Sequence, residues 1–258
     1  MGSKKKSSSA SKRAKDEGRA KASAPGTSDR ANRSSLASTE AEGLLGKLGN
    51  VFQGQKAGKM NQVDELLCQA LETEIGGVQV YRTALRCAQN DDLREEWQKY
   101  LEETEKHVRL MTEVCESRGL DPETETLGRQ IVRHKGQALV AAMEMALRYG
   151  PPEAAQLTAA ECVVDAETKD HANWELIGQV VEKLEGGEAS ALKAAYDEVE
   201  EEEDEHLYHS MGWARELWIQ SLGLPAVLPP PEERRDVTDA ISAAEAKKSR
   251  DQMVGERG

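Results

Sequence analysis

Glu203-Asp204-Glu205-His206, which closes the acidic run begun by Glu200-Glu201-Glu202, decides what fold and chemistry this chain can have. Glu203 and His206 stand three apart. On a helix that spacing puts a carboxylate oxygen and an imidazole nitrogen on one face, within reach of a single metal ion. Two-metal carboxylate bundles carry such a pair on each of two helices and a lone Glu on each of the other two. The alternative is a solvated acidic face, because six consecutive acidic residues yield a Glu-x-x-His with any His that follows. Partners at the same height on other helices separate the two.

Working outward, residues 60–223 show helical periodicity throughout and no strand-like alternation. A first helix at about 61–88 carries Val63, Leu67, Ala70, Val78, Tyr81 and Leu85 on one stripe. A second, about 91–118, carries Trp97, Leu101, Val108, Met111 and Cys115. A crossing helix at about 127–148 is followed by a third at about 153–184, with Leu157, Val164, Trp174 and Ile177, and a fourth at about 188–221, with Leu192, Val199, Trp213 and Leu217. Short connections at 89–92 and 185–187 make two antiparallel hairpins. The expected fold is all-α: a ferritin-like antiparallel four-helix bundle whose single long crossover holds an extra helix.

Polar residues interrupt each stripe. Glu74 lies between Ala70 and Val78, His107 beside Thr104 and Met111, Glu167 and Asp170 between Val164 and Trp174, and Glu203 and His206 between Val199 and Trp213. Core carboxylates are costly unless paired or bound to metal. In an antiparallel hairpin, residues equidistant from the turn share a height. Glu74 and His107 share a midpoint at 90.5, within 89–92, and both Glu167/His206 and Asp170/Glu203 are centred on 186.5. Three residues of offset is only about 4.5 Å of rise, so all of them fall at one level. The second helix departs from the pattern: Thr104 occupies the position three before His107, and Glu103, four before it, is the carboxylate on that face. The candidate ligands are therefore Glu74, Glu103, His107, Glu167, Asp170, Glu203 and His206. His171 ranks below Asp170, and His134 and His209 are expected to face solvent.

Charge divides the chain further. Residues 1–33 hold ten Lys/Arg against Asp16, Glu17 and Asp29, a net +7, so a chain of net −13 leaves −20 on the remainder. Such a body is no nucleic-acid-binding core, but the tail could hold DNA or another polyanion. Residues 1–58 are Ser-, Ala-, Lys- and Gly-rich and expected to be disordered; residues 59–224 form the helical body. Residues 225–258, opening with Pro225 and Pro229-Pro230-Pro231, read as a Pro-rich polar tail with one short exposed helix near 238–248. Cys68, Cys87, Cys115 and Cys162 form no Cys-x-x-Cys and read as buried thiols of a cytoplasmic protein. No apolar run approaches the roughly 18 residues of a membrane span, and no signal-peptide core is present. Lys6 stands where a myristoylation signal needs Ser or Thr.

Leu101-Glu102-Glu103-Thr104-Glu105-Lys106-His107-Val108, with Leu110 and then Gly119-Leu120, resembles the second helix of the bacterial YciF-type ferritin-like stress proteins. The similarity spans roughly residues 60–220. That family's first-helix Glu falls on Glu74, and its third-helix Glu-x-x-Glu falls on Glu167-x-x-Asp170, with one Glu replaced by Asp. On the fourth helix the family pattern falls on Glu200 and Asp204, whereas Glu203 and His206 are more similar to ferritin and rubrerythrin. The resemblance implies a ferritin-like fold and a metal site. Glu and His ligands without a dedicated thiolate suit two iron ions, or manganese. The expected activity is oxidation of Fe(II) by oxygen or peroxide in stress or iron detoxification. A manganese catalase-like enzyme is one alternative; a non-catalytic helical stress protein, oligomerising through its body and binding DNA through its tail, is the other.

Overall fold

The computed structural model describes residues 60–183 and 187–256, and the regular elements among them are all helices. They are α1 (Gln62–Cys87), α2 (Asp91–Ser117), α3 (Leu127–Tyr149), α4 (Pro152–Val181), α5 (Gly187–Ser221), α6 (Pro231–Arg234), α7 (Ala240–Lys248) and α8 (Arg250–Glu256). The expected disordered segment 1–58, with its basic portion 1–33, lies outside the described residues, as do positions 184–186 of the second hairpin turn.

Local chemistry sets the helix ends. Asn61, Asn90 and Thr126 accept backbone N–H bonds from Asp64, Leu93 and Arg129 as N-caps, and Pro152 occupies the first turn of α4. At the C-termini of α2 and α5, Gly119 and Gly223 take φ of 70° and 71°. There Leu120 N–H donates to Cys115 and Leu224 N–H to Ile219, the 6→1 bond of a Schellman stop that needs a residue free of Cβ strain.

Cross-helix contacts fix the directions of the four long helices. Arg82 meets Glu105 and Glu74 meets His107, so α1 and α2 are antiparallel. Glu161 with Trp218 and His171 with Asp204 orient α4 and α5 in the same way. Tyr81 with Glu167 and Trp174 with Glu74 do so for α1 and α4; Glu96 with His209 and His107 with Glu202 for α2 and α5. Helix α3 lies in the α2-to-α4 connection and packs on α1 and α4. Buried Glu72 of α1 ties it down by accepting from Arg129 Nε at 2.7 Å and Arg133 Nε at 2.8 Å. Gly136 of α3 packs over Gly76 of α1, where a Cβ on Gly136 would reach van der Waals contact at 3.7 Å from Gly76 Cα.

The C-terminal segment is not the free polar tail that its composition suggests. Val227 and Val237 are fully buried, and Ala246 of α7 is too. Glu216 of α5, also buried, accepts from Val227 N–H at 2.9 Å and Arg250 Nε at 2.8 Å. Arg215 makes a two-pronged pair with Glu232. Isolated apolar anchors and ion pairs carry this packing, and neither leaves a periodic signature in sequence. No described helix is long and apolar enough to cross a membrane.

The apolar core has two parts. One holds Leu67, Leu71, Met111, Val114, Trp174, Ile177, Leu192 and Val199. The other holds Val80, Tyr81, Leu93, Trp97, Met143, Val163, Trp213 and Leu217. Each long helix passes from one part to the other through a short polar stretch. All four cysteines are buried free thiols, Cys87, Cys115 and Cys162 within these clusters, and burial pushes each pKa up to about 11.

Candidate metal centre

The polar stretches meet between the two apolar clusters. Glu74, His107 and His206 have no exposure; Glu203 has 1%, Glu167 3% and Asp170 4%. His107 Nδ1 lies 3.7 Å from Glu74 Oε2 and 2.9 Å from Glu203 Oε1. His206 Nδ1 lies 3.7 Å from Glu167 Oε2 and 3.6 Å from the same Glu203 Oε1. Two triads result, Glu74/His107/Glu203 and Glu167/Glu203/His206, each with ligand atoms within 4.8 Å of one another. Glu203 belongs to both. The imidazoles face each other with centroids 5.8 Å apart and planes 28° from parallel.

Each side chain is held from outside and left open inside. Trp174 Nε1 donates to Glu74 Oε1 at 2.9 Å, and Tyr81 OH donates to Glu167 Oε1 at 2.7 Å. His107 Nε2 bonds Glu202 Oε2 at 2.7 Å, and His206 Nε2 bonds Glu103 Oε2 at 2.9 Å. With Nε2–H as the donor in each ring, Nδ1 is left facing inward, the arrangement by which a carboxylate orients a metal-ligating histidine. The inward atoms have no hydrogen-bond partner: Glu74 Oε2, His107 Nδ1, Glu167 Oε2, Asp170 Oδ1, Glu203 Oε2 and His206 Nδ1. His107 Nδ1 and Glu203 Oε1 form an ion-pair contact when the ring is protonated. A buried polar atom left unpaired costs about 1–3 kcal/mol. Six such atoms, one from each of six side chains converging from four helices, fit cations. Four carboxylates with two neutral imidazoles balance the charge of two divalent ions.

Electrostatics follow from the crowding. Burial, and then the Glu74 and Glu167 carboxylates, raise Glu203 to about 7. Asp170 is raised well above the usual carboxylate range by burial and by Glu74, Glu203 and Glu167. Burial alone would lower both histidines, but neighbouring carboxylates outweigh it. Glu74 and the Glu202 bond raise His107, and the Glu103 bond with the adjacent Glu167 raises His206 to about 10. Glu202 is itself drawn down to about 2, its bonds to His107 and Lys106 outweighing burial.

Of the seven candidate ligands, Glu74, His107, Glu167, Glu203 and His206 meet in the two triads, and Asp170 is buried near them with its Oδ1 unpartnered but joins neither triad. Glu103 does not join them; its side chain is 21% exposed and supports His206 from behind rather than sharing an ion with His107. Thr104 faces Gly77, where a Cβ would lie 3.2 Å from Thr104 Cγ2, so α1 and α2 come too close there for a glutamate. His209 is not solvent-facing: it is 2% exposed and bonds Glu96 Oε1 at 2.8 Å and Tyr100 OH at 3.0 Å. One turn from His206, it falls on the same inner face. His134 is exposed, and His171 pairs with Asp204 at 2.9 Å. The outer partners Tyr81, Trp174 and Glu202 are not marked as such by the sequence. Tyr81 is seven residues from Glu74 on one face, and Glu202 adjoins the Glu203 rung. Without a known ligand set, neither position stood out from core aromatics or from the acidic run.

Replacing Glu103 or Glu202 by Ala is expected to weaken metal binding about 10- to 100-fold without changing the number of ions bound. Calorimetric titration with Mn(II) checks this. A loss of one equivalent would make the substituted residue a ligand.

No family model, curated protein or solved structure matches this chain.

Proposed function

We propose that this chain is a ferritin-like dinuclear carboxylate protein, similar to the YciF-type stress proteins, that holds two iron ions and oxidises Fe(II). The reading is carried by six buried side chains that each leave one polar atom unpartnered between two apolar clusters, five of them grouped in the two triads. Glu74 and His107 would hold one ion and Glu167 and His206 the other, with Glu203 shared and Asp170 a further carboxylate. When bound, the metal pair supplies the redox step, with oxygen or peroxide as oxidant. The residues around it fix spacing, orient each imidazole through Glu103 or Glu202, and exclude bulk water. Carboxylate and imidazole donors suit iron and manganese, and the four buried thiols fit a reducing, cytoplasmic compartment.

Anaerobic Fe(II) titration followed by exposure to air or peroxide tests this proposal. Two equivalents should bind and be oxidised faster than in protein-free buffer. Absence of binding would remove the proposal, and selective uptake of manganese with peroxide disproportionation would favour the catalase-like reading. A second role is favoured by the +7 charge of residues 1–33: weak, salt-sensitive binding of DNA or another polyanion. Deleting those residues separates the two roles, because metal uptake should survive the deletion.

A further inference from the structure

The six ligand atoms are buried, so an ion must have a way in. A cavity of about 200 Å³ opens between α4 and α5, lined by His171, Glu175, Glu200, Asp204 and Tyr208, with Ala240 of α7 also on its wall. It reaches both Trp174, which holds Glu74, and Glu203, the carboxylate shared by the two triads. Glu203 is 1% exposed and its Oε2 has no partner. The volume corresponds to roughly six waters at liquid density, enough for a partly hydrated ion.

Charge distinguishes this opening from its neighbour. Three carboxylates face a single imidazole here: Glu175 and Glu200 are exposed at the cavity and Asp204 is half-buried, with the His171 nitrogens 3.8 Å from Glu175 and 2.9 Å from Asp204. A larger cavity of about 400 Å³ lies among α1, α3 and α4, near Thr73 and Ala166. Its wall carries Lys135 and Lys169 against Glu72 and Asp165, with Glu72 already paired to Arg129 and Arg133, and includes none of the six buried candidate side chains. A cleft lined by one sign of charge concentrates counter-ions and speeds their arrival, whereas lysines oppose a cation.

We propose that the acidic cavity between α4 and α5 is the entry route for divalent cations, with Glu175, Glu200 and Asp204 forming a transient cation station whose inner end is Glu203. This rests on the dinuclear reading above. The three carboxylates accelerate capture and hand the ion inward; they are not ligands of the loaded centre. Glu203 is both the end of the route and the shared ligand, so the first ion to arrive meets an open carboxylate oxygen.

Stopped-flow uptake of Co(II), followed by its visible absorption, tests the route. In the full-length chain, Glu175→Gln with Glu200→Gln and Asp204→Asn should slow uptake about tenfold at low salt. Two equivalents should still bind at equilibrium. The difference should shrink at about 0.5 M salt, where the Debye length is only a few ångströms. Glu175→Gln alone, at an exposed position that folding does not depend on, should slow uptake about twofold. Lys135→Gln, on the other cavity, should not slow it. Equal rates for wild type and the triple variant would overturn the route while leaving the metal centre intact. Loss of an equivalent in the triple variant would overturn it too, by making those carboxylates ligands. A wild-type chain that takes up no Co(II) would remove centre and route together.

Discussion

Replacing Glu203 and His206 together by alanine is expected to take metal uptake from two equivalents to none while leaving the helices folded. Glu203 is the carboxylate common to both triads, so its loss weakens both positions, and losing His206 removes the nitrogen donor of one. The fold does not depend on them. Their inward atoms make no hydrogen bonds, and the apolar clusters on either side supply the packing. Glu203→Gln gives a sharper sign. It removes charge from a group of buried carboxylates, so the metal-free variant should melt several degrees above the metal-free wild type at pH 8 while binding metal less well. A stabilised variant that no longer binds would mark a position kept for function at a cost in stability. Full stoichiometry in the double variant would show that the centre is wrongly drawn.

The second large effect is a reversal of pH dependence by metal. In the metal-free chain, folded Glu203 keeps its proton up to about 7, whereas an unperturbed glutamate releases it near 4.5. Between those values the folded state binds more protons than the unfolded one, so stability falls as pH rises. His206 acts in the same direction. Folded, it stays protonated to about 10, against 6.5 for an unperturbed histidine, so stability falls again across that window. Metal binding needs these groups deprotonated and therefore tightens with pH. Mn(II) at a thousandfold excess over its Kd adds about 4 kcal/mol. In a chain of this size that is roughly 10 °C in melting temperature, at about 2–4 °C per kcal/mol. The shift should be present at pH 8 and largely lost at pH 5. Equal shifts at both pH values, or none at pH 8, would contradict a buried, proton-competing centre.

Much of this arrangement is visible in the sequence because helical period is a strong signal and the interruptions are chemically odd. Glu74 stands out within the Ala70–Val78 stripe because a carboxylate there has no cheap explanation. The shared hairpin midpoints carry long-range information, since antiparallel helices of known turn position leave little freedom in height. Packing distance carries no such trace. The close approach of Gly77 to Thr104 depends on two helix axes that one-dimensional spacing does not locate. The same holds for residues 225–256, where Val227, Val237 and the Arg250–Glu216 pair act singly. His209 follows a run of acids, a pattern that marks a solvent face in sequence, and its Tyr100 and Glu96 partners lie on a different helix, which spacing does not show.

The most direct measurement is anomalous diffraction from crystals of the protein grown with Mn(II). Two peaks are expected about 3.5–4 Å apart, on either side of the Glu203 carboxylate, one beside Glu74 and His107 and the other beside Glu167 and His206. The outer cluster Glu96/Glu205/His209 also brings three ligand atoms together, but Lys99 already pairs with Glu205 and Tyr100 with Glu96. Peaks confined to that cluster, a single peak, or none between the two apolar clusters would contradict the dinuclear centre.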